Sequence, residues 1–168
     1  MERLGCEFYH RPCVEVARDL VGKVLVHGEQ CLRISETEAY WGVSDTACHA
    51  SRGRTKRTEV LWMDAGTVYV YLCYGVHWLM NVITGEEGDH QGVLIRACIG
   101  AEGPGKLTKR LSITGAQNRD SVLTSEHIWI GDDGFRCRVV TDKRVGIGYA
   151  SQEDQDKPWR FKMGKRED

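Results

Sequence analysis

The chain has 168 residues, of which 41% are apolar and 28% charged, and its net charge is −1. That length suits one domain, residues 1–168, with a real core. A near-neutral balance excludes a strong global field for nucleic acid, and no apolar run approaches the roughly twenty residues that span a bilayer. The seven cysteines are odd in number and contain no CxxC pair, so neither a disulfide framework nor a zinc site is expected. They read as reduced, inert thiols. The amino end, Met1 to Cys6, mixes acid and base and lacks the apolar stretch of a secretory signal, which implies a cytosolic or nuclear protein.

Pro12 to Val21 reads as a short helix, with Pro12 at its first position and Gly22 past its end. Cys13, Ala17, Leu20 and Val21 fall at helical spacing and would face the core. Lys23 to His27 is a strand that passes through Gly28 into the next. Leu32 to Tyr40 alternates, so Leu32, Ile34, Glu36, Glu38 and Tyr40 would share one face. A carboxylate on such a face is costly unless paired, and its pKa rises. Either one glutamate sits at the rim or pairs with an arginine such as Arg96, or it serves as a general base with Tyr40 in the wall.

Trp41 to Thr58 is loop-like. It carries Arg52, Arg54, Lys56 and Arg57, with no acid between His49 and Thr58. Lys106, Lys109 and Arg110 form a second basic group; Lys157, Arg160, Lys162, Lys165 and Arg166 form a third. Each alone would be a solvated face. Together they could track a phosphate backbone. Cys48-His49 has no further Cys or His at ligand spacing, so no metal is expected there.

From Gly66 to Asn81, Tyr69, Tyr71 and Tyr74 sit within six residues on a β-branched and aromatic run that ends at Gly75. The chain should turn there and return over Val76 to Ile83 as a hairpin. Tyr69 and Tyr71 point to one face, and Tyr74 projects from the tip. Paired tyrosines ordinarily fill a core; the alternative is a stacking platform for a flat ring, with Tyr74 as a wedge. Gln91 to Ile99 is a further strand on which Leu94 and Arg96 share a face. Gly103-Pro-Gly-Lys-Leu107 opens a short helix whose amino end, with Lys106, could hold a phosphate. Ile128 to Ile130, Arg138 to Val140 and Val145 to Tyr149 read as short strands.

Aromatic platforms, a buried carboxylate, a nearby arginine and basic loops suit an enzyme that extrudes a base from a duplex. A cationic damaged purine is drawn to tyrosine faces and leaves readily. One carboxylate can deprotonate the attacking water and face the developing oxocarbenium.

Over nearly its whole length the chain resembles the alkyladenine (3-methyladenine) DNA glycosylases. The likeness is carried by Phe8-Tyr-His-Arg-Pro12, Ala17 to Gly22, Glu36-Thr-Glu-Ala-Tyr40, His49, Tyr69-Val-Tyr71, Tyr74-Gly75, Met80-Asn81, Val93 to Ala97, Gly103 to Leu107, Arg144-Val-Gly-Ile-Gly148 and Lys157-Pro-Trp-Arg-Phe161. The spacing of ETEAY and YVYxxYG is specific. The resemblance implies an α+β fold: one compact domain with a curved antiparallel sheet, short flanking helices and a protruding hairpin. It implies Glu38 as the carboxylate that activates water, with Arg96 near that water and the target phosphate. Tyr40 and His49 would form one wall of the base pocket and Tyr71 the opposite wall, with Asn81 and Leu94 shaping it. Tyr74 would intercalate, and Arg54, Arg57 and Lys106 would meet phosphates. Tyr69 is left as core or support, and Glu36 as a structural partner.

The reaction implied is hydrolysis of the N-glycosidic bond of alkylated or deaminated purines in double-stranded DNA, with no metal or cofactor. It leaves an abasic site and so begins base excision repair. A monomer suffices, with no membrane contact, in the cytoplasm (nucleoid) of a bacterium or the nucleus of a eukaryote. The competing readings are a non-catalytic protein that flips and shields damaged bases, and a lyase, which needs a lysine in the pocket, where Lys56 and Lys106 read as too exposed. Two departures stand out: Lys56-Arg-Thr58 in place of Pro-Arg-Asn, and a bulky His77-Trp78 pair after the wedge.

Overall fold

A computed structural model describes residues 1–165. Arg166, the last cation of the basic tail, lies outside the described residues. The elements in chain order are β1 (Glu2–Arg3), α1 (Cys6–Tyr9), α2 (Cys13–Leu20), β2 (Val24–His27), β3 (Gln30–Tyr40), β4 (Val68–Cys73), β5 (His77–Thr84), β6 (Gln91–Cys98), α3 (Pro104–Arg110), β7 (Ile128–Asp132), β8 (Val139–Asp142), α4 (Gln152–Asp156) and β9 (Arg160–Met163). The strands form one nine-stranded sheet in the order β1-β7-β2-β3-β6-β5-β4, with β8 and β9 branching from β3. All pairings are antiparallel. This is the α+β architecture anticipated.

The main core lies between the sheet and α2 and α3. Cys13, Val16, Ala17 and Leu20 of α2 are fully buried, as are Leu107 of α3 and, just past its end, Leu111. Pro12 stands just before the first helical residue of α2, not at the first position itself. A proline has no N–H to lose there. Burying a leucine such as Leu107 is worth about 2 kcal/mol.

β3 does not alternate along its whole length. Its pairing with β6 shifts register between Ile34 and Glu36 and again between Glu36 and Thr37, the mark of a bulge. Before the bulge Ile34 faces the helices. After it Thr37 and Ala39 do, and the Thr37 hydroxyl donates to Ala17 O of α2 at 2.6 Å. Glu36, Glu38 and Tyr40 therefore face the other way, without Ile34. The expectation that all five shared one face fails because strict alternation breaks at Glu36, where the register shifts and then returns, so that Ile34 and Thr37 come to the same face.

The β4–β5 hairpin forms as expected. Tyr74 (φ 51) and Gly75 (φ 66) both adopt left-handed backbone, and Val76 N–H donates to Cys73 O at 3.1 Å. Two successive positive φ values are what a twisted hairpin turn requires. The bulky His77-Trp78 pair fits because glycines face it: a Cβ on Gly105 would come within 2.9 Å of the His77 ring, and one on Gly115 within 2.9 Å of Trp78. The Thr108 hydroxyl of α3 donates to Trp78 O at 2.7 Å, pinning the hairpin close to its turn.

Val145 to Tyr149 is a loop, not the strand expected. Gly146 has φ 73, and Ala150 N–H donates to Ile147 O at 2.9 Å, closing a turn that extended backbone cannot make. The described residues hold no helix long and apolar enough to cross a membrane.

Candidate active site

Antiparallel register builds a row across four strands. Glu38 of β3 lies opposite Leu94 of β6, Leu94 opposite Asn81 of β5, and Asn81 opposite Tyr69 of β4. Direct cross-strand partners share a face, so these four side chains form the floor of one region on the side of the sheet away from α2. Asn81 Nδ2 donates to Tyr69 O at 3.2 Å. Over this floor lies a cleft of about 690 Å³ lined by Glu38, Tyr40, His49, Arg57, Tyr71, Tyr74, Leu94, Arg96 and Lys106, among others. A recess of about 40 Å³, room for a water or two, continues between Tyr40, His49, Tyr69, Tyr71, Asn81 and Tyr149.

The Glu38 side chain is fully buried. Its Oε2 accepts Val145 N–H at 2.7 Å, and its Oε1 accepts the Tyr40 hydroxyl at 3.0 Å. Arg96 Nη1 stands 3.7 Å from Oε1. Burial pushes the Glu38 carboxyl above the usual glutamate range. Arg96, the Val145 N–H, the Tyr40 hydroxyl and Arg144 each pull it back. The result is a desolvated carboxylate with lone pairs to spare, the condition that suits a base. Glu36, its neighbour on the same face, instead accepts from Arg160 at 2.8 Å and lies 3.6 Å from Arg96. It anchors two arginines, as expected of a structural partner.

The aromatic walls differ in one respect from the expected pairing. The His49 ring packs against Tyr71, with centroids 4.6 Å apart, and edge-on to Tyr69 at 6.1 Å. Tyr69 and Tyr71 are themselves 5.3 Å apart. His49 thus belongs with Tyr71 and not with Tyr40. Its Nδ1 is 3.1 Å from the Tyr69 hydroxyl. Burial, with Arg57 and Arg52 nearby, lowers its pKa to about 4, so at neutral pH the ring carries no charge.

Among the cations, the Arg57 guanidinium sits over the Tyr71 ring at 5.2 Å, and Lys106 reaches the cleft from the first turn of α3. Arg54 does not join them. It lies 6.0 Å over Trp62 and is absent from the cleft wall. Tyr74 is 95% exposed at the hairpin tip, with Leu72 and Val76 exposed beside it. Arg52, read from the sequence only as one of a basic group, lines the cleft. Two contributors escaped the sequence reading: Tyr149 and the main chain of Val145. The last is a backbone donor, and no side-chain pattern announces one. Cys13, Cys48 and Cys98 are buried, Cys6 and Cys31 are exposed, and all seven thiols are free. Among the described residues no group of three or more His, Cys, Asp or Glu is placed to hold a metal.

A family model described as methylpurine-DNA glycosylase matches residues 7–100 and 99–167. A protein of Methanocella arvoryzae assigned as a 3-methyladenine DNA glycosylase is 41% identical over 185 residues, covering 96% of this chain and 92% of its own. One of Desulfitobacterium hafniense with the same assignment is 42% identical, covering 96% and 95%. Another, of Rickettsia felis, is 38% identical, covering 92% and 89%.

Proposed function

The chain belongs to the methylpurine-DNA glycosylase family, and from that premise we propose that it is a 3-methyladenine DNA glycosylase. It flips an alkylated or deaminated purine from duplex DNA and hydrolyses the N-glycosidic bond. The observation that carries the reading is the Glu38 carboxylate, fully buried at the floor of an open aromatic cleft. A protein that only shielded damaged bases has no use for so costly a group.

In this mechanism Tyr74 fills the gap in the duplex, and the purine slides between Tyr40 and the His49–Tyr71 wall. Tyrosine faces favour a cationic alkylpurine, and a neutral His49 does not repel it. Glu38 takes a proton from water as the oxygen attacks C1′. The C1′–N bond breaks, and its electron pair leaves with the purine. A cationic purine departs neutral and needs no acid. Arg96, 3.7 Å from Glu38, favours the ionised carboxylate, and in this reading it also steadies the target phosphate. Arg57 and Lys106 flank the cleft as phosphate partners. Arg54 would have to leave Trp62 to act similarly. A monomer is sufficient, acting at the nucleoid or in the nucleus, wherever the DNA is held.

Lys56 and Lys106 are both exposed, whereas an attacking lysine is ordinarily desolvated in a pocket. The test is to incubate the protein with alkylated duplex and borohydride. Free methylated purine and unbroken abasic strands are expected. A trapped protein–DNA adduct would replace this reading with a lyase.

A further inference from the structure

Glu38 has two hydrogen-bond donors, Val145 N–H and the Tyr40 hydroxyl. Both are held by a pair of residues to which the reaction assigns no part. Arg144, next to Val145, is fully buried with Asp45. Its Nη1 donates to Asp45 Oδ2 at 2.6 Å and its Nη2 to Oδ1 at 3.0 Å. The same nitrogens donate to Ala39 O, at the end of β3, and to Asp154 O, in α4, both at 3.0 Å. The guanidinium lies 5.0 Å from the Tyr40 ring centroid and 5.0 Å from that of Trp159. Asp45 accepts in addition from Trp41 N–H at 2.9 Å and Ala47 N–H at 3.1 Å.

Taking such a pair out of water costs several kcal/mol per ion, and an apolar replacement of equal volume is often as stable. Arg144 Nε even stays buried without a partner. Stability alone is therefore a weak reason for the pair. Its geometry supplies a better one. The pair joins the end of β3, the 41–47 loop, the 144–149 loop and α4 at a single point, and Glu38 takes its hydrogen bonds from two of the parts so joined.

We infer that the Asp45–Arg144 ion pair is the positioning device of the site: it holds Val145 N–H and the Tyr40 ring where they orient the Glu38 carboxylate toward the attacking water. The inference rests on Glu38 being the base. Arg144 and Asp45 do not touch the substrate; they act through Val145 and Tyr40.

The test separates position from charge. Asp45→Asn is nearly isosteric and removes a negative charge. By Coulomb's law alone, that change makes the Glu38 carboxylate easier to ionise and moves the acid limb of kcat/KM to lower pH. Loss of position does the opposite. If Val145 N–H and Tyr40 drift from the carboxylate, it loses the donors that favour ionisation, and the limb moves up. The other charged groups around it, Arg96 on β6 and the Glu36–Arg160 pair between β3 and β9, are unaltered.

The limb should rise by about one pH unit, or about tenfold slower release on the acid side, with affinity for an abasic-site duplex unchanged. Asp45→Glu, which keeps the charge and displaces it by a methylene, should move the limb the same way. An unmoved or lowered limb in either folded variant overturns the inference. So does a failure of both to fold, which would make the pair purely structural. Glu38→Gln, run alongside, keeps the two claims apart. If it releases base as well as wild type, the assignment of Glu38 is what fails. If it is inactive while the Asp45 limb stays put, the positioning role alone fails.

Discussion

At the scale of residues, the site is a contest over the Glu38 proton. Burial favours the neutral acid, and Arg96, Val145 N–H and the Tyr40 hydroxyl favour the carboxylate. A base must be ionised, so activity is lost as pH falls through the raised pKa, at a higher pH than an exposed glutamate would give. Arg96 is the largest of the opposing influences. Arg96→Met should therefore move the acid limb of kcat/KM further up. A limb left where wild type has it would mean that Arg96 does not set the ionisation of Glu38. That Arg96 could meet a glutamate of β3 was legible beforehand, because an arginine sharing a strand face with Leu94 needs a carboxylate, a phosphate or solvent; that it meets both Glu36 and Glu38 was not. The Val145 N–H was not, since every residue but proline offers one.

At the scale of elements, the hairpin and the bulge have opposite histories. The hairpin was readable because its turn demands unusual chemistry: Gly75 supplies one positive φ, and the flanking β-branched and aromatic run supplies the strands. Tyr74 supplies the other positive φ at a cost, since a bulky non-glycine residue rarely sits there. That strain presents a 95% exposed ring at the tip and fits a wedge better than a core residue. Tyr74→Ala should slow release from duplex DNA several-fold more than from single strands, where no stack has to be opened. Equal losses on both substrates would assign Tyr74 to the pocket and not to the wedge. The bulge in β3 was not readable. Leu32 to Tyr40 alternates without a break, and the irregularity at Glu36 shows only in the pairing with β6. Likewise, Val145 to Tyr149 looks like a strand by composition, and the turn at Gly146 overrides it.

At the scale of the whole molecule, the sheet sorts structure from chemistry by face. One face packs α2 and α3 over Ile34, Thr37 and Ala39. The other carries Glu38, Leu94, Asn81 and Tyr69 in a row beneath the cleft. The net charge of −1 hides a local arrangement in which Arg52, Arg57 and Lys106 line that cleft. Composition averages this away, and only the fold brings loop and helix to the same rim. The central claim is that one carboxylate, unaided by metal, drives base release. It is tested most directly by measuring free 3-methyladenine from alkylated duplex in the presence of EDTA, with wild type and Glu38→Gln side by side. The account predicts release by the wild type and, from Glu38→Gln, lesion binding with release reduced at least a hundredfold, about the minimum contribution of a positioned base. Release by Glu38→Gln at the wild-type rate would contradict it.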